Sequence, residues 1–505
     1  MPDDPRFDRV IEIDDVTGGV VTSLPRNKRP TSSFYVGNNL RMEGDEEWLG
    51  RKEGTSSLGD KVDTSPVLLL MSLIDENGNV NILRITQSSI YLSYGNEDWF
   101  EISQSFLSGA AAPFDGTFFL GNVYLVNGRD HVIEVNLKTK TAIELTDSPK
   151  ACTHIENYGD RIIIAREAEV FWCANSVPSD FSSESAGSEP LVQGAGELSN
   201  AITGLHSIAD QLVILRRDSI WHASRQPFAE APFRFDRIIN ELGCDLPYSS
   251  AKFPGGIIYA DARSKAVYAY ALGSFPQKLS DNVRGDMFGP VAHRRWIRGI
   301  YIPARGCYVL GLPGSTSVGW ITSLWKYYYK KGAWLHDDVK RVSTVGALHL
   351  DDVVFIDDLV GSIKDLDGVI DELSTSPEIR PDNIALGLSY GEVIYYDEDS
   401  DTEWDGTSVE GTIQSHDLCA LHRESSLKTV GLDVETIRAG SLTVEHGNED
   451  GLWRNSKTVN LTVGLSQVLL KTTLAGKRLF WRLRFGTGDI HLTGWWAKLL
   501  DRALK

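Results

Sequence analysis

The feature that most constrains this chain is a repeated pair of short strands, an apolar run followed a few residues later by an aromatic-rich one. The pairs are VNILRI with SIYLSY from Val80, VYLVN with VIEVNL from Val123, RIIIA with VFWCA from Arg161, LVILR with SIWHAS from Leu212, GIIYA with AVYAYAL from Gly256, and CYVLGLP with LWKYYY from Cys307. Apolar markers at Val80, Val123, Ile162, Val213, Ile257, Tyr308, Val353 and Val393 are spaced 39 to 51 residues apart. Helical solenoids share such periods. Runs this short, rich in Val, Ile, Tyr and Trp and bounded by Gly, Asn and Asp, select strands instead. A unit of three or four strands cannot bury its faces alone, but units stacked around an axis can. The uneven steps predict an irregular β-propeller rather than a uniform wheel. Asn77-Gly78 and Asn127-Gly128 lie between apolar runs and predict hairpins with primed turns.

The flanks differ in texture. After Trp404 longer alternating strands appear: SSLKTVGLDVETI, SLTVEHG, KTVNLTVG, SQVLLKTT and RLFWRLRFG. Strands this close together with no helix between them predict a small antiparallel sandwich. Near the other end, Pro25 to Pro30 mark an extended arm. The expected organisation is an arm with entry strands over 1–62, a propeller over 63–347, an insertion with the last propeller elements and an acidic loop over 348–404, and a C-terminal antiparallel β-sandwich over 405–505. In the insertion, Ile356, Ile363 and Ile370, with Leu359, Leu366 and Leu373, repeat every seventh residue as in a coiled coil. Gly361 and Gly368 share that period and weaken any helix, so an irregular strand-and-turn excursion is preferred.

Composition narrows the function classes. The 505 residues are 42% apolar, enough for a sizeable core, and no apolar run reaches the ~20 residues of a membrane helix. The start, MPDDPRFDRVIEIDD, lacks the basic and apolar regions of a secretory signal, which predicts synthesis in a bacterial-type cytosol. A formal charge of −19 argues against gripping nucleic acid through its phosphates, although an acidic wall can surround DNA without holding it. Five scattered cysteines, Cys152, Cys173, Cys244, Cys307 and Cys419, show neither zinc spacing nor a disulfide framework and read as small buried residues.

Candidate chemistry is sparse. Asp397, Asp399 and Asp401 have the 1-3-5 spacing of a calcium loop, but Thr402 and Ser408 stand where Gly and Glu are needed, so the run with Glu398 reads as a solvated loop tip. No metal, cofactor or catalytic residue is expected. Sialidase-type propellers carry a repeated S-x-D-x-G-x-T-W box, absent here, and no G-x-S-x-G, H-E-x-x-H or P-loop motif occurs. HRRWIRG (His293 to Gly299) and KYYYKKG (Lys326 to Gly332) interleave bases with aromatics as single-strand nucleic-acid grooves do. Strand alternation would instead turn the aromatics inward and the bases outward, onto a rim.

Several stretches resemble the β-propeller nozzle or tail-hub proteins of short-tailed bacteriophages, the packaged-DNA stabilisation family. The middle carries most of it: ITGLHSIADQLVILRRDSIWHAS (Ile202 to Ser224), PFRFDRIINELGCDLPYSSAKFPGGIIYADARSKAVYAY (Pro232 to Tyr270) and FPQKLSDNV (Phe275 to Val283). Phe34 to Gly59, VFWCANSVPSDF (Val170 to Phe181) and Ser426 to Trp453 flank it. The resemblance implies a structural virion protein and not an enzyme, in a hexameric homo-oligomer ring below the adaptor or head-tail connector ring. The ring would meet tail fibre or needle proteins and let phage DNA pass without sequence-specific binding, retaining the genome until ejection. Asp397, Glu398, Asp399 and Asp401 are then candidates for the channel wall or distal end, and Arg294, Arg295, Lys330 and Lys331 for ring contacts. The alternative reading is a receptor- or glycan-binding propeller of the virion, with a propeller glycosidase behind it.

Overall fold

The computed structural model describes residues 6–503 apart from 26–27, 43–46, 75–79, 95–97, 103–112, 193–200, 229–230, 289–295, 315–318, 350–382, 398, 420–422, 449–451 and 473. The chain is all-β, and among the described residues one short helical turn occurs, at Arg284–Met287. Five free-standing four-stranded antiparallel sheets follow one another as propeller blades. Blade 1 begins at Val67–Ile74, blade 2 at Asp115–Phe119, blade 3 at His154–Asn157, blade 4 at Ile202–Ile208 and blade 5 at Ala251–Phe253. Neighbouring blades bury their facing sides together: Leu83, Ile85 and Leu92 of blade 1 share one apolar cluster with Val123, Leu125 and Ile133 of blade 2.

Two further four-stranded arrays belong to a twelve-stranded sheet and complete the ring. Arg298–Ile302, Cys307–Pro313, Ile321–Tyr328 and the first part of Ala333–Leu348 form blade 6. At Arg341, whose φ is 57°, that last strand turns, and residues 342–348 become the inner strand of blade 7. Asn383–Leu388 and Val393–Asp397 follow, and the outermost strand is Gly54–Ser57, brought from the N-terminal region to pair with Ile394 through Asp397. The ring is therefore closed by hydrogen bonds between distant parts of the chain. Gly54 is required there. A Cβ would stand 2.4 Å from the Thr402 carbonyl oxygen and 2.6 Å from that of Ser400.

The sandwich packs two sheets whose inner faces carry alternate residues. In Leu479–Phe485 the side chains of Leu479, Trp481, Leu483 and Phe485 are buried, while Arg482 and Arg484 face the other way and both donate to Glu445. Trp481 meets Trp495 of the opposite sheet edge-on, with ring centroids 5.2 Å apart. N-terminal strands are built into this domain: Arg6–Ile13 pairs along its whole length with Asp489–Ala503, and Leu40–Arg41 with Leu49–Arg51 extends the same sheet. Val36–Asn38 bridges Gly411–Gln414 of the sandwich to His336 of blade 6, so one sheet runs unbroken through both domains. Between these strands single apolar residues are anchored inside: Val16, Val21 and Phe34 are fully or almost fully buried.

Two local expectations need restating. Asn127-Gly128 does lie in a hairpin, but the connection between Asn122–Val126 and Val132–Asn136 is five residues long rather than a two-residue primed turn. Asn127 is buried, and its Oδ1 accepts from the backbone of Arg129 and Asp130, while the Gly128 N–H donates to the Cys152 carbonyl of the next blade. Lys326 points inward, not outward: it is 2% exposed and paired with Asp337 at 2.7 Å. In a propeller both faces of a strand are covered by neighbouring blades, so alternation does not sort bases to solvent. Asn77-Gly78 and the heptad segment from Ile356 to Leu373 lie outside the described residues. All five cysteines are buried and free.

Candidate functional site

Seven inner strands, one from each blade, surround an axial cavity of about 490 Å³. A strand places residues i and i+2 on one face. The inner strands of blades 2 and 3 use this to present two polar residues each, Asp115 with Thr117 and His154 with Glu156, and blade 5 adds Lys252 from its inner strand and Ser250 from just before it. Blade 4 adds His206, and blade 6 adds Arg298. On the other side, blades 7 and 1 contribute Val345, Ala347, Leu69, Leu70 and Met71, so the wall is polar on one side and mostly apolar on the other. Glycines allow the inner strands to approach: a Cβ on Gly204 would meet Ser250 Oγ at 2.8 Å, and one on Gly299 the Ser249 carbonyl oxygen at 1.9 Å.

The polar groups pair across blades. His154 Nδ1 lies 3.3 Å from Asp115 Oδ2, which also accepts from the Ile155 N–H. Burial would raise the Asp115 pKa, but the hydrogen bond and charge of His154 and the charge of Arg298 hold it below its ordinary value. Arg298 donates to the carbonyls of Leu68 and Phe114 at 2.9 and 2.7 Å and covers the Tyr248 ring, which in turn packs on His154. Lys252 Nζ stands 2.9 Å from Glu156 Oε2. Burial outweighs that pairing and pushes the Glu156 carboxyl up.

His206 Nε2 is 2.8 Å from Ser250 Oγ, the distance of a nucleophile and its base. Burial pushes His206 down to about 3, with Lys252 adding to the shift. A general base is effective near the working pH, and burial moves His206 away from it. The contact is a hydrogen bond between blades 4 and 5. Among the described residues no group of three or more His, Cys, Asp or Glu side chains is placed to hold a metal ion.

The residues singled out in the sequence lie elsewhere. Asp397 ends the third strand of blade 7 and accepts from Ser56 and from the Asp399 N–H. Asp401 is a structural hub where blade 7 meets the sandwich: it pairs with Arg51 and Arg438 and accepts from the Gly488 N–H at 3.1 Å. Asp399 is exposed, and its carbonyl accepts from Arg438 at 2.8 Å. None of the three lines the axial cavity of the subunit. Lys330 and Lys331 occupy the turn between Ile321–Tyr328 and Ala333–Leu348. Arg294, Arg295 and Glu398 lie outside the described residues. Around Asp401 the seam continues as a buried ion cluster that sequence reading missed. Glu53 is paired with Arg41 and Arg305, Lys52 with Glu403, and Lys326 with Asp337, which also accepts from the Tyr396 hydroxyl.

No family model matches the sequence, and no curated protein matches it. Solved structures match at the level of the propeller. A catalytically inactive virginiamycin B lyase from Staphylococcus aureus with quinupristin is 8% identical, with a TM-score of 0.43, over 68% of this chain and 98% of that one. A streptogramin B lyase is 8% identical, with a TM-score of 0.42, over 68% and 96%. PorZ, a surface component of the type-IX secretion system of Porphyromonas gingivalis, is 10% identical, with a TM-score of 0.40, over 72% of this chain and 43% of that one. These are distant likenesses of fold.

Proposed function

We propose that the chain is a structural protein of a bacteriophage tail, a subunit of a hexameric nozzle or hub ring below the adaptor. In this reading the ring closes the DNA channel, retains the packaged genome and opens for ejection, and no residue is catalytic. What supports it is the distribution of exposed apolar side chains. In the sandwich Leu465 is 81% exposed on the edge strand Gly464–Lys471, Val463 70% exposed in the turn before it and Leu452 59% exposed just before the edge strand Trp453–Leu461, while Phe228 and Phe275 are 65 and 70% exposed on turns of blades 4 and 5. A closed heterologous ring joins two different surfaces of adjacent copies. Large apolar residues exposed on two separate parts of one subunit suit that requirement better than they suit a monomer. The net charge of −19 fits a wall past which DNA slides without adhering.

Electron microscopy of phage particles containing this chain tests the reading. A hexameric ring at the tail is expected, and Val463→Asp combined with Leu465→Asp should leave a folded subunit that no longer enters it. Particles from which the chain is absent, or a double variant that assembles normally, would overturn the proposal.

A further inference from the structure

The axial cavity has a composition that an inert spacer does not need. Leaving its two histidines aside, the charged residues balance: Asp115 and Glu156 against Lys252 and Arg298, two acids and two bases. Each acid also has a partner on the wall, His154 for Asp115 and Lys252 for Glu156. Hydrogen-bonding capacity remains, however. Lys252 carries three donors, of which Glu156 and Ser207 Oγ take two, and its side chain is 46% exposed. The Asp115 side chain is 30% exposed and keeps acceptor capacity, and Ser250 is held in place by neutral His206. Opposite these groups stands the apolar wall of Leu69, Met71, Val345 and Ala347. The volume of about 490 Å³ lies within the range of roughly 300–1,000 Å³ usual for small-molecule sites.

We propose that this cavity binds a neutral saccharide of one or two rings. A pyranose has hydroxyls that both donate and accept around its edge and a face of C–H groups, and it carries no charge. Fixed donors and acceptors beside an apolar surface, with internal charge balance, complement all three properties. The inference concerns the isolated subunit and does not depend on the assembly reading.

The experiment is titration calorimetry with ligand-observed NMR on the full chain. The probes are glucose, galactose, mannose, N-acetylglucosamine and lactose, with glucuronate and inorganic phosphate as charged comparators. Saturable binding of at least one neutral sugar is expected, insensitive to salt and weakened about tenfold by Lys252→Met and by Ala347→Phe, which fills the apolar side. Ser250→Ala removes a single hydroxyl and serves if either variant fails to fold. Three results would overturn the proposal: no neutral sugar bound at about 10 mM, preferential salt-sensitive binding of glucuronate or phosphate, or sugar binding unchanged in the variants.

Discussion

Glu53 shows how burial and charge compete at one residue. Its side chain is 2% exposed between Arg41 and Arg305. Burial alone would raise its pKa, yet the two guanidinium charges overcome it and hold the carboxyl at about 2, against an ordinary 4.5. A folded pKa below the unfolded one means that the unfolded chain binds the proton more readily. The stabilisation is thus present above the unfolded value and lost as pH falls from about 4.5 through about 2. The shift corresponds to about 3 kcal/mol at neutral pH. Glu53→Gln should remove most of it, so denaturation midpoints of the variant and the parent should differ at pH 7 and converge toward pH 2. A constant difference across that range would show that the ionised form is not what matters. Lys326 teaches a related lesson. A basic residue in an aromatic strand looks like a rim contact in sequence, but two covered faces give it internal partners instead: the buried Asp337, the Leu40 carbonyl and the Tyr396 ring.

At the scale of the element, the strand Gly54–Ser57 decides whether the ring is closed. Ser56 and Asp397, which it brings together, are 341 residues apart. Holding so long a loop shut costs conformational entropy, which the pairing and the packing of blade 7 must offset. Gly54→Val would push a side chain against the Ser400 and Thr402 carbonyls and should destabilise the fold by about 1–3 kcal/mol. Hydrogen exchange is the informative measurement. Amides of Asn383–Leu388 and Val393–Asp397 should lose protection first, with blades 2 to 4 little changed. A uniform loss across all blades would sink the idea that closure is a local event. The period of the apolar runs made the free-standing blades legible because each hairpin pairs with its sequence neighbour. The closing strand has no such neighbour, and four residues reading GTSS carry no apolar pattern of their own.

At the scale of the molecule, propeller and sandwich form one mechanical unit. The twelve-stranded sheet crosses the junction, a single apolar cluster includes Val309 and Leu310 of blade 6 with Leu432 and Val444 of the sandwich, and the ion cluster around Glu53 and Asp401 fills the seam. Separating the domains would expose paired charges whose partners stay buried, so partial unfolding is disfavoured. Calorimetry should record one cooperative transition for the whole chain. Two resolved transitions, with the sandwich melting alone, would show that the seam does not couple them. A ring subunit that transmits force needs this coupling, as the assembly proposal requires.

The cavity marks the limit of what the sequence could reveal. Asp115 and His154 are 39 residues apart, one repeat, and polar residues recur at the same place in the inner strands of blades 3, 5 and 6. That recurrence was available as a signal, but it is one or two residues per repeat in short strands such as DGTFF and HIEN, which carry no distinctive pattern of their own. By itself the sequence determined the all-β class, the blade period and the C-terminal sandwich, because strand alternation and hairpin turns are local properties of neighbouring residues. Only the tertiary structure decided that a strand from the N-terminal region closes the ring, that Lys326 and Glu53 are buried, and that polar residues from successive blades share a cavity. Each of these depends on contacts between segments far apart in the chain, and no local pattern records which distant segment arrives.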